Sequence, residues 1–159
     1  EHGNGRLKFR KAVNTANLFP GRPIIIANAD IAFDETLSHV ADIERDTEAV
    51  ICLSRDDAVS RVFEGQSAGR VSQDAWIFRG PLRGASNMRL DFELGRPGCD
   101  NRFAYELSVA GHKLFNPSLL IHARHHHKGA PGLPGGPVSW NEAERIPGPY
   151  IFVPVTETL

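Results

Sequence analysis

Two uninterrupted apolar runs, Ile24-Ile25-Ile26-Ala27 and Ala49-Val50-Ile51-Cys52-Leu53, constrain this chain more than any other feature. An apolar run without alternation marks a strand buried on both faces. Between the two runs lies a stretch of helical period. Leu37, Val40 and Ala41 turn inward and Glu44, Arg45 and Asp46 outward, with Asp34 or Thr36 placed as the cap. Upstream, Leu7, Phe9, Ala12, Val13, Ala16 and Asn17 fit a short amphipathic helix, stopped by Pro20-Gly21-Arg22-Pro23. The order helix, strand, helix, strand predicts an α/β fold rather than an all-β one.

Further along, Ala75-Trp76-Ile77-Phe78 reads as a strand ended by Gly80-Pro81. Leu90 to Leu94 alternates as a short half-exposed strand would, and Leu119-Leu120-Ile121 reads as another. Asp100 opens a helix with Phe103, Ala104, Leu107 and Ala110 on one face and Gly111 as its stop. Residues 55–70 read as a surface loop, and 128–137, rich in Gly and Pro, as a flexible one. Tyr150 to Pro154 returns to order. No internal repeat and no second core are visible, so the expectation is one domain over 1–159.

Composition removes several classes of function. Lys+Arg 18 against Asp+Glu 19 gives a formal charge of −1, which offers no electrostatic case for nucleic-acid binding. No segment reaches the roughly 18 apolar residues of a membrane helix. Cys52 and Cys99 have no metal-site spacing and cannot form a disulfide framework. The expectation is a cytoplasmic protein with reduced thiols, reaching the inner face of a membrane only through partners.

Polar groups gather at the ends of the apolar runs, where open α/β sheets bind ligands. Asn28-Ala29-Asp30 follows the first run. A carboxylate there is poorly solvated and seeks a cation or hydrogen-bond donors, although Asp30 could also only order the turn. Asp74 and Trp76 stand at the start of the third strand. The indole offers a flat face for a sugar ring, or a core side chain. Asp100, Asn101 and Arg102 open the late helix, Asp100 as cap or as general base and Arg102 within reach of phosphate. His122 to His127 holds four of the seven histidines. On extended backbone, His125 and His127 share one side and could face one ion.

In this order the segments resemble the later part of glycosyltransferases of the GT-A, or nucleotide-diphospho-sugar transferase, fold. Asn28-Ala29-Asp30 is similar to the DxD metal motif with Asn for its first Asp. Pro97 to Leu107 is similar to the acceptor-side helix of inverting members, His125-His126-His127 to the late His-x-His, and Pro147 to Pro154 to a tail of some bacterial members. The resemblance runs from about residue 6 onward.

The resemblance implies a three-layer α/β/α sandwich with a mostly parallel central sheet. It implies a UDP- or GDP-linked sugar as donor and a saccharide or other hydroxyl acceptor. Asp30, with His125 or His127, would hold Mn²⁺ or Mg²⁺, and Asn28 and Arg102 would lie at the diphosphate. Asp74, Trp76 and Asn101 would lie at the sugars, with Asp100 as the base. Only 27 residues precede Asn28, so the nucleotide-binding half is expected to be reduced, absent or supplied by another chain. The other expectation is a non-catalytic carbohydrate- or partner-binding module with this fold.

Overall fold

Local sequence decides the elements, and long-range pairing decides their arrangement. The computed structural model describes residues 5–43, 48–56, 59, 73–126 and 142–156. Helix α1 (Phe9–Ala16) buries Phe9, Val13 and Ala16, the stripe its periodicity requires. Strands β1 (Pro23–Ala27) and β2 (Ile31–Phe33) follow. A 3₁₀ turn over Glu35–His39 then leads into the short helix α2 (Val40–Ile43). Asp34 caps the turn as expected, accepting from the Thr36 backbone N–H at 3.0 Å. Next come β3 (Ala49–Leu53), β4 (Ala75–Arg79), helix α3 (Cys99–Val109), β5 (Lys113–Phe115) and β6 (Ala123–His125).

The main sheet has the order β1-β4-β3-β5, and β2 and β6 form a separate two-stranded ribbon. Strand β4 runs antiparallel to both its neighbours, and β3 with β5 is the parallel pair. The fold is therefore mixed α/β as expected, but its described sheet is not mostly parallel. Strand order follows from which strands meet in space, and local periodicity carries no record of that.

The two apolar runs also differ from each other. All five residues of β3 are buried, because both faces of this strand are covered, Val50 and Cys52 on one and Ile51 and Leu53 on the other. Strand β1 is half-exposed, with Ile25 at 41 %, because it is the last strand of the described sheet. One face of the sheet carries Val50, Cys52, Trp76 and Phe78 against α1 and α3. The other carries Ile51, Leu53, Ala75 and Ile77 against Val40, Ile121 and Ala123. Among the described residues, α2 and the β2–β6 ribbon cover that second face, rather than a full layer of helices.

Two expected strands take other forms. Leu90 and Phe92 are buried and Asp91 exposed, so the alternation is real. Their carbonyls, however, accept from the first-turn N–H groups of α1: Phe9 to Phe92 at 3.0 Å and Arg10 to Leu90 at 2.9 Å. The segment satisfies helix donors instead of joining the sheet. Leu119 to Ile121 forms a turn, its last two N–H groups bonded to Pro117 O.

Helix α3 is capped by Gly98, in the left-handed region at φ 79°, so Asp100 sits inside the first turn and is not the cap. The C-terminal segment runs extended over this end of α3. Ile151 N–H donates to Asn101 O at 3.1 Å, and Val153 is buried. Residues 57–58, 60–72 and 127–141 lie outside the described residues. The expected 55–70 loop falls there for the most part, and the expected 128–137 loop and His127 fall there entirely.

Candidate active site

The polar site is built at one end of the sheet, where β1 and β3 finish and β4 begins. The register pairs Ala27 with Ala75, so the next residues, Asn28 and Asp74, stand opposite each other. The ladder continues through them, with Asn28 N–H donating to Asp74 O at 3.0 Å. On the other side, Asp74 N–H donates to Leu53 O at 2.8 Å. Their side chains also meet, as Asn28 Nδ2–H donates to Asp74 Oδ1 at 2.9 Å. Asp74 is 7 % exposed. Among the described residues, Asp74 Oδ2 and Asn28 Oδ1 are buried without hydrogen-bond partners.

Burial pushes the Asp74 carboxyl up to about 6, and the negative charge of Asp100 adds to the rise. Arg55, Asn28 and His125 oppose it. These influences place Asp100, Arg55 and His125 in the electrostatic neighbourhood of Asp74.

Asp30 stands just past the end of β1, as expected, and the ribbon brings His125 to it. Ile31 of β2 pairs with His125 of β6, and His126 N–H donates to Asp30 O at 2.8 Å. His125 Nε2 lies 3.1 Å from Asp30 Oδ2. The imidazole is 8 % exposed and the carboxylate 39 %, so this pair opens to solvent through Asp30. A carboxylate oxygen suits Mn²⁺ or Mg²⁺ that takes its remaining ligands from phosphate and water, and an imidazole nitrogen beside it favours Mn²⁺ over the harder Mg²⁺. Among the described residues, no group of three or more His, Cys, Asp or Glu side chains is placed to hold a metal ion alone.

Two predicted site residues are placed elsewhere. Trp76 is 0 % exposed and edge-on to Phe9 and Phe103, with ring centroids 5.2 and 5.4 Å away. An enclosed indole has no face for a sugar, so it is a core residue. Arg102 is engaged within the fold. Nε and Nη2 donate to Glu106 Oε1 at 3.0 and 2.7 Å, and Nη1 donates to the Pro147 and Gly148 carbonyls at 2.9 Å each. Its guanidinium fastens the C-terminal segment to α3 and is not turned to a phosphate. Asn101 is buried, and its Oδ1 has no hydrogen-bond partner among the described residues.

Sequence reasoning missed Arg55. It follows Leu53-Ser54 at the end of β3, pairs as an isolated bridge with Ala123, and is the strongest charge lowering the Asp74 carboxyl. The strand-end rule that singled out Asp30 applies equally to position 55. A second missed group braces the site from behind. Asn116 Nδ2 donates to Ser54 Oγ at 3.0 Å and to Val153 O at 2.9 Å, while Ser118 Oγ accepts from Ser54 N–H at 2.8 Å.

Beside the ribbon, Asp34 holds Arg124 at 2.8 Å and His122 at 3.5 Å. The side-chain and backbone hydrogen bonds from Thr36, with help from Arg124 and His122, keep its carboxyl down at about 2. Asp34 is thus a structural anion that ties β2 to β6.

No protein-family model, curated protein or solved structure matches this chain. Among the described residues, no helix is long and apolar enough to cross a membrane.

Proposed function

We propose that this mixed α/β chain carries the metal- and acceptor-side part of a GT-A-like glycosyltransferase. It would move a sugar from a nucleoside-diphosphate donor to an acceptor hydroxyl. The observation that carries the reading is the gathering of Asp30, Asp74, Asp100 and His125 around one end of the sheet, from four separate parts of the sequence. Surface carboxylates scatter, whereas these share one neighbourhood with a buried arginine-influenced acid at its centre.

In this reading Asp30 and His125 would hold Mn²⁺ or Mg²⁺, and such an ion would supply positive charge for the departing diphosphate. Asp100, in the first turn of α3, accepts the proton of the acceptor hydroxyl. The hydroxyl oxygen forms its bond to the anomeric carbon as the bond from that carbon to the diphosphate oxygen breaks. The electron pair leaves with the diphosphate. In-line attack of this kind inverts the anomeric centre.

A second reading, a carbohydrate- or partner-binding module without transfer, draws support from Arg102. The arginine expected at the phosphates is engaged by Glu106 and two carbonyls instead.

Calorimetric titration with UDP and GDP, each with and without Mn²⁺, separates the two. Metal-dependent binding of either nucleotide supports transfer. Pyranoside binding without metal-dependent nucleotide binding supports the module.

A further inference from the structure

We propose that the outer face of α1 and the turn that follows it form a docking surface for an anionic phospholipid membrane. None of its residues belongs to the sheet-end site, so the proposal stands apart from the transfer reading.

Charge is segregated along the sequence. Between residues 2 and 29 stand Arg6, Lys8, Arg10, Lys11 and Arg22, and no Asp or Glu. The other 13 Lys and Arg stand against all 19 Asp and Glu, a balance of −6. An ordinary solvated helix face mixes the two signs. Helix stability does not account for the segregation either. The dipole favours an acid in the first turn, yet α1 carries none there and is flanked by Lys8 and Lys11.

The fold turns these cations to one side. Lys8, Lys11, Thr15 and Leu18 follow helical spacing and line one shallow groove of about 380 Å³. Arg10 stands on its wall and donates to the Ala85 and Met88 carbonyls, which fix the guanidinium without neutralising it. Asp91 is the acid on that wall. Among the described residues, no carboxylate pairs with Lys8, Lys11 or Arg22. The groove ends at Leu18, which is 75 % exposed, and Phe19 beside it is 52 % exposed. The turn that presents them is fastened to the sheet side. Gly21 N–H donates to Gly80 O at 2.8 Å, Gly80 N–H to Arg22 O at 3.1 Å, and Leu82 N–H to Asn17 Oδ1 at 2.9 Å. The two apolar side chains are thus held outward by an ordered backbone.

An apolar tip beside cations suits a surface that is anionic outside and apolar beneath. Lys8, Lys11 and Arg22 meet the headgroups while Leu18 and Phe19 enter the acyl boundary. The tip is convex. A protein partner must offer it a matching pocket, whereas a bilayer yields around it. Contact of this kind is peripheral and needs no spanning helix.

Cosedimentation with vesicles of phosphatidylcholine, with and without phosphatidylserine, tests the proposal. The expected result is binding to the phosphatidylserine vesicles alone, falling as salt is raised. Lys8→Gln with Lys11→Gln should weaken it about thirtyfold, at about fivefold for each cation. Leu18→Ser with Phe19→Ser should weaken it by at least about tenfold. Circular dichroism checks that both double variants keep the fold.

Absence of binding to phosphatidylserine vesicles at low salt overturns the proposal. So does equal binding to the neutral vesicles, or binding by either folded double variant that matches the native chain. Capture of soluble polyglutamate in place of vesicles assigns the face to an acidic protein segment and overturns it too. Self-association in place of vesicle binding, abolished by Leu18→Ser with Phe19→Ser, assigns the face to a second copy of the chain, with the same consequence.

Discussion

Arg102 and Glu106, one helical turn apart on α3, form a forked pair in which Nε and Nη2 of the guanidinium reach the same carboxylate oxygen at 3.0 and 2.7 Å. Their side chains are 11 % and 7 % exposed, and the other carboxylate oxygen accepts from Arg89 N–H at 2.8 Å. The pair joins α3, the 82–92 segment and the C-terminal segment. Arg102→Ala leaves Glu106 buried without its cation, and such a broken buried pair costs about 3–5 kcal/mol. Arg102→Lys cannot reproduce the fork and should recover only part of this loss. Chemical denaturation of both variants measures it. Near-wild-type stability in Arg102→Ala would show the pair to be incidental.

Asp74 gives the folded chain a pH dependence of known sign. Its carboxyl is raised from 3.8 to about 6 in the fold, so the folded state holds a proton that the unfolded state has lost between those values. Stability contributed by the protonated form is therefore full at low pH and falls as pH rises from about 4 to about 6. The penalty at pH 8 is of order 2–3 kcal/mol. Asp74→Asn removes it, so the variant should gain stability relative to the native chain at pH 8 and not at pH 4. Parallel stability curves for the two proteins would contradict the buried placement of this acid.

Trp76 belongs to the core and not to the site. It is enclosed with Phe9 and Phe103, whose own centroids are 4.5 Å apart. Trp76→Ala should destabilise the chain by about 3–5 kcal/mol. Trp76→Phe should destabilise it by less and leave pyranoside contact unchanged. Loss of sugar contact in a folded Trp76→Phe variant would return the indole to the site.

Much of this was legible locally. The stripe of α1, the full burial of β3, the Asp34 cap and the strand-end position of Asp30 all follow from spacing within a few residues. What stayed hidden depends on distant partners. The exposure of β1 depends on its place at the edge of the described sheet, and the enclosure of Trp76 depends on Phe9 and Phe103. Arg102 reads as a free cation until Glu106 is seen to share its helix face and the tail to lie across it. Leu90 to Leu94 shows the limit most clearly. Its alternation is correct, yet the hydrogen bonds that define a strand go to the start of α1.

The central claim is that Asp30 and His125, 95 residues apart and 3.1 Å from contact to contact, hold the divalent ion of a nucleotide-sugar site. Mn²⁺ electron paramagnetic resonance in the presence of UDP or GDP measures it most directly, because the free-ion signal disappears on binding. The account predicts that the native chain removes the signal in a nucleotide-dependent manner. Asp30→Ala and His125→Ala should each weaken this by at least about tenfold, in line with loss of a metal ligand. A native chain that leaves the signal unchanged with both nucleotides, or variants that bind Mn²⁺ as the native chain does, would contradict it.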